Sequence, residues 1–142
     1  MRHYILTSLL AAALFAGPCD AADKLYSARS RDHGAPFDLV LTEVKREPSK
    51  SLLSVPGFHR RTAAGSRWLM CMYNDLAFNR GFRYWTVIYP NEPAETIPIA
   101  FYQSESEDVA KILGREFVAS RVFPEKPTSV DWWHEKLCGR PK

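Results

Sequence analysis

Phe82-Arg83-Tyr84-Trp85-Thr86-Val87-Ile88-Tyr89, then Pro90-Asn91-Glu92-Pro93, then Thr96-Ile97-Pro98-Ile99-Ala100-Phe101-Tyr102: this stretch decides the fold. The first run is aromatic and β-branched, which suits a pleated, half-buried strand. Two prolines and an asparagine then impose a turn. The second run returns with the same character, so the pair reads as an antiparallel hairpin. Pro98 lacks a backbone donor, which places the second strand at a sheet edge or a bulge. Alternation sorts Arg83, Trp85, Val87 and Tyr89 from Phe82, Tyr84, Thr86 and Ile88. Both sets carry large rings, so helices must cover both faces or a partner must dock on one.

The flanking segments supply the helices. Upstream, Leu69, Met72, Tyr73, Leu76 and Arg80 recur at helical spacing, with Ser66 as cap and Gly81 just past the end. Downstream, Ser104 and Glu107 form a capping box for a second helix carrying Val109, Ile112 and Leu113, and Gly114 should break or kink it. Thr128 is expected to cap a short last helix with Trp132, Trp133 and Leu137, ending at Gly139. Residues 37–44 alternate loosely as a further strand. Residues 47–66, rich in Pro, Ser and Gly, read mainly as a loop that could serve recognition, with a short strand at 52–55 as the alternative. The expected fold is α+β: a small antiparallel sheet of three or more strands packed with two to three helices.

The beginning of the chain bears on location. Arg2 and His3 precede an apolar, uncharged run over 5–16, and Gly17-Pro18 and small residues follow. That order is a secretory signal peptide, with cleavage near Ala21 or Ala22. The run is too short for a membrane-spanning helix, which needs about 20 apolar residues. Pro18 stands where a lipidation motif wants a small residue before Cys19, so no lipid anchor is expected. The division is a signal over 1–21, a flexible arm over 22–36, and a single α+β domain over 37–142. The mature protein is expected in the periplasm or outside the cell, soluble and without a transmembrane segment.

Removing Cys19 leaves Cys71 and Cys138, an even count that suggests a disulfide in an exported chain. Closing so long a loop is worth roughly 4 kcal/mol in the chain-entropy picture. The net charge of +3 is spread among interspersed acids and bases, with local clusters only at Arg60, Arg61 and Arg67 and at Arg80 and Arg83. That is too sparse for a nucleic-acid footprint. His33, His59 and His134 lack zinc-site spacing, and no nucleophile elbow, phosphate loop or dinucleotide fingerprint occurs. No metal, cofactor or catalytic set is expected. The aromatic residues are the more suggestive group, and Trp85, Tyr89, Trp132, Trp133, Arg60 and Arg61 are the candidate interface.

The segment 68–113 resembles a family of small bacterial envelope proteins of uncharacterised function, many of them lipoproteins. Its pattern is a helix, a glycine–aromatic step into an aromatic strand, a second strand, and a helix of the Asp-Val/Ala-x-x-x-Leu kind. The matching residues are Arg67 and the helix over 69–78, Gly81 to Ile88, Ile99-Ala100-Phe101, and Ser106 to Leu113. The resemblance implies a small α+β envelope domain and carries over no catalytic residue. The functional expectation is a non-catalytic module that binds another envelope or periplasmic protein, as an inhibitor or immunity protein does. The alternatives are a small periplasmic hydrolase assembled around His59 or His134, and a structural envelope component.

Overall fold

The computed structural model describes residues 24–140. The signal-peptide reading over 1–21 lies outside them. Among the described residues, one six-stranded antiparallel sheet carries three α-helices. In chain order the elements are β1 (Ser27–Arg29), β2 (Val40–Arg46), β3 (Lys50–Ser54), α1 (Ala63–Asn79), β4 (Tyr84–Ile88), β5 (Thr96–Tyr102), α2 (Val109–Leu113), β6 (Val122–Phe123) and α3 (Val130–Trp133). The order across the sheet is β1-β2-β3-β5-β4-β6. Strands β3 and β4 both run antiparallel to β5, so β3–α1–β4 is a split crossover with β5 inserted between its strands.

The hairpin reading holds, and β5 has the expected bounds. The edge position for Pro98 does not, because β5 is flanked on both sides. The Val55 N–H donates to the Glu95 carbonyl and the Phe101 N–H to the Ser49 carbonyl. Odd-numbered residues of β5 therefore direct their backbone groups at β3, and the Pro98 nitrogen faces β4. On that side the ladder has already ended at Val87↔Ile99, while the β3 ladder continues through Leu52↔Pro98 to Ser54↔Thr96. The missing donor thus coincides with the end of the β4–β5 ladder, one position beyond its last pair.

Two segments are more ordered than their composition suggests. The expected arm over 22–36 contributes β1, paired to β2 from Ser27↔Thr42 to Arg29↔Val40, and a 3₁₀ turn at Ser30–His33. The fully buried Ser30 hydroxyl donates to the Phe37 carbonyl and accepts from the Leu39 N–H. Within 47–66, a tight turn closed by the Glu47 N–H on the Lys50 carbonyl leads into β3, an interior strand. Leu53 and Val55 are fully buried on its inner face.

The helix ends are also shifted. Thr62, not Ser66, caps α1 by accepting from the Gly65 N–H at 3.1 Å. The helix starts before the expected cap, which places Cys71 in its third turn. Asp108 caps α2, accepting from Ala110 and Lys111, while the Glu107 carboxylate ties off the preceding turn at Gln103 and Ser104. Gly114, at φ 59°, ends α2 as expected and passes it into a 3₁₀ turn. Ser129, not Thr128, caps α3, which unwinds into a π-helical turn at His134–Cys138.

Helices cover both faces of β4. Trp85 and Val87 join Leu41, Leu53, Ile97, Ile99 and Phe101 under Leu69, Met72, Tyr73 and Leu76 of α1 and Val130 and Trp133 of α3. On the opposite face Ile88 and Ala100 meet Leu113 of α2, with Phe117 and Val118 against them. Cys71 and Cys138 form the expected disulfide, with Cα atoms 5.5 Å apart. Among the described residues no helix is long and apolar enough to cross a membrane.

Candidate functional site

The sheet opens at its β6 edge. Val87 pairs with Phe123, and the next contact of β4 with this segment is the bridge from Tyr84 to Ser129. The residue numbers of paired positions sum to 210 at the first contact and 213 at the second, so the segment gains three residues and bows outward. Pro124 and Pro127 lie in the bow and have no N–H with which to rejoin the ladder. Ser129 then caps α3, accepting from the Trp132 N–H, and the Val130 N–H donates to the Arg83 carbonyl. The result is a hollow of about 500 Å³, larger than those of about 310 Å³ at Arg60 and Arg61 or about 380 Å³ beside the disulfide.

Its lining is aromatic and proline-rich: Tyr84, Phe123, Pro124, Pro127, Trp132 and Trp133, with Arg83 and Glu105 at the polar margin. Trp132 is 46% exposed and stands edge-on to buried Trp133 at 5.2 Å and 89°. Trp133 stacks in turn on Trp85 at 5.3 Å. The hollow is thus a wall of the aromatic core left open on one side. The Tyr84 hydroxyl donates to Glu105 Oε1 at 3.2 Å and its ring stacks on Tyr102 at 5.4 Å, so this ring is held in place. Nearby, burial raises the pKa of the Tyr102 hydroxyl, which bonds to Thr86.

The expected interface divides. Trp85 is fully buried and Trp133 nearly so, which corrects their assignment as contact residues. Period-2 alternation could not show that α1 and α3 cover this face. The Trp85 indole N–H donates to Asn74 Oδ1 at 2.9 Å, and Asn74 in turn donates to the Val130 carbonyl. Tyr89 is half-buried between Phe58 and Phe123, with its hydroxyl pKa raised by burial. Arg61 lies 3.7 Å over the Phe58 ring and donates to the Phe58 carbonyl. Exposed Arg60 lines a different hollow with Arg61 and Asp38. Of the candidates, Trp132 alone is a large exposed ring.

The histidines lie in separate settings. His59 Nε2 donates to the Ala94 carbonyl at 2.7 Å, while Nδ1 is 3.9 Å from Glu92, so the ring fastens the β4–β5 loop. His134 is buried edge-on to Phe78, in a hollow shared with His33, Asp75 and the disulfide. The Asp75 carboxylate there accepts from the Tyr26 hydroxyl at 2.7 Å. Among the described residues no group of three or more His, Cys, Asp or Glu is placed to hold a metal ion. Arg83, Tyr84, Glu105 and the two prolines escaped the sequence reading. The signal for them was a connector with two prolines three residues apart shortly before the Trp132-Trp133 pair, of which only Trp132 is exposed. No protein-family model, curated protein or solved structure matches this chain.

Proposed function

We propose that the protein is an exported, non-catalytic binding module that engages another envelope or periplasmic protein through the Trp132 groove, in the manner of an inhibitor or immunity protein. One observation carries this reading: a half-exposed tryptophan stands over an open aromatic wall that is otherwise packed as core. Tryptophan and tyrosine on such a wall offer large contact area at small cost in side-chain entropy, as binding hot spots do. The Cys71–Cys138 bridge and the signal-like first residues support an oxidising compartment. The likeness of 68–113 to small envelope proteins points the same way.

The test is capture from a periplasmic extract on the immobilised, oxidised protein, with Trp132→Ala and Arg60→Ala compared. A partner that binds saturably to wild type and Arg60→Ala, and at least about tenfold more weakly to Trp132→Ala, supports the reading. Equal recovery on all three columns, or no specific partner, sinks it.

A further inference from the structure

A half-buried guanidinium has lost part of its water and calls for a counter-charge. Arg61 is half-buried, and among the described residues no carboxylate pairs with it. Its head lies 3.7 Å over the Phe58 ring, and Nη1 donates to the Phe58 carbonyl at 2.7 Å. The ring face and the carbonyl hold the cation in place and compensate it only in part. The hollow of about 310 Å³ that Arg61 lines contains a second such group. Arg60 is exposed there, and its guanidinium has no hydrogen-bond or ion-pair partner among the described residues. A 3₁₀ turn at Phe58–Arg60 sets the two arginines side by side, with the Arg60 N–H on the Gly57 carbonyl and the Arg61 N–H on the Phe58 carbonyl.

The acids nearby are already engaged. Asp38 is the one carboxylate in the lining. It accepts from Arg29 Nε at 2.9 Å and Nη2 at 2.7 Å, and Arg31 Nε lies 3.7 Å away. Glu95 accepts from the Gly57 N–H, and Glu92 faces His59. The Phe37, Leu39 and Gly57 carbonyls take donors from Ser30 and Arg60. The other carbonyls of the lining are neutral and do not offset two full charges. The Thr62 hydroxyl accepts from the Gly65 N–H and keeps its own proton to donate. We propose that this hollow is an oxyanion site, separate from the Trp132 groove, whose ligand is a phosphate group, free or as a monoester. A phosphate monoester carries about −1.5 to −2 at neutral pH, which matches two unpaired guanidinium groups, whereas a carboxylate leaves one of them unpaired. Its several oxygens accept from Arg60, Arg61 and the Thr62 hydroxyl, and guanidinium forks suit that geometry.

The probe is sodium phosphate, titrated at constant ionic strength into the full exported chain in oxidised form. Arginine Nε–H resonances report on binding by NMR. The proposal expects saturable shifts at Arg60 and Arg61, with affinity falling about tenfold or more in Arg60→Gln and in Arg61→Gln. Arg60→Gln is the decisive variant, because Arg61→Gln also loses the stack on Phe58. Arg67→Gln and Trp132→Ala should bind phosphate as wild type does, so this site stands or falls apart from the groove. Acetate should bind at least about tenfold more weakly than phosphate. Glycerol 3-phosphate separates the sources: shifts equal to those with phosphate assign a monoester, and shifts with inorganic phosphate alone assign the free ion. Equal binding of acetate, unchanged affinity in Arg60→Gln, or no saturable shift with either phosphate overturns the proposal. Unsaturable shifts spread over all exposed arginines are the mark of screening and overturn it too.

Discussion

Glu43 shows how one side chain can hold several segments together. It is fully buried on the inner face of β2. Its carboxylate accepts from Arg46 Nε and Nη2 at 2.9 and 2.5 Å, from the Ser51 hydroxyl at 2.5 Å and from the Tyr26 N–H at 3.0 Å. Arg80 extends the cluster, donating to Ser51 and to the Glu47 and Pro48 carbonyls while lying 4.5 Å over Phe101. Burial pushes the Glu43 carboxyl up, but the bonds from Arg46, Ser51 and Tyr26, with the charge of Arg46, outweigh it and leave the pKa lowered. A group lowered on folding stabilises above its unfolded value, near 4.5, and loses that contribution as pH falls through the folded value. Glu43→Gln is expected to cost about 1–3 kcal/mol at pH 7 and to flatten the acid limb of stability. Urea unfolding at pH 7 and at acid pH measures both, and an unchanged acid slope would exclude this role. Asn74→Ala strips the Trp85 indole of its acceptor and the Val130 carbonyl of a donor, for an expected loss of about 2–3 kcal/mol by the same assay. Inward placement of Glu43 was legible from the alternation over 37–44. Its partners were not, because positions 26, 46, 51 and 80 meet only once the sheet is assembled.

At the level of elements, local chemistry read best where a single residue decides the backbone. Gly81, at φ 77°, closes α1: its N–H donates to the Phe78 carbonyl, and the Phe82 N–H donates to the Ala77 carbonyl. Gly81→Ala is expected to cost about 1–2 kcal/mol, measurable as a lowered urea midpoint at unchanged slope. Gly114 ends α2 in the same legible way. Strands β1 and β3 were harder to see. Ser27–Arg29 and Lys50–Ser54 are short and half polar, and their apolar side chains gain meaning only against neighbours far along the chain. Proline and serine on either side of β3 mark the turn that aims it rather than a long loop. The bridge that fastens the π-helical turn to α1 spans 67 residues. Cys71→Ser with Cys138→Ser is expected to lower stability by about 4 kcal/mol, seen as a fall in the urea midpoint.

In the whole molecule, the two sheet faces are covered unequally. The α1 side is sealed from β2 to β4, whereas α2 covers the other side only near β4 and β5, leaving Val44 of β2 47% exposed. Hydrogen exchange should follow this plan, with amides of β4 and β5 slowest and those of β1 and β6 orders of magnitude faster. Comparable protection at both sheet edges and centre would contradict it. The α+β class and the central hairpin were legible because aromatic and β-branched runs bounded by proline admit few alternatives. The groove was not, since it arises from a three-residue mismatch between β4 and the returning chain. That mismatch sits just upstream of the disulfide, so one covalent bond guards the geometry of the hollow. Without it, the segment that carries Trp132 is held by packing and by hydrogen bonds such as those of Asn74 and Arg83 to Val130. The hollow therefore has a redox-dependent rigidity: reduction frees the end of the wall on which Trp132 stands while leaving the sheet intact.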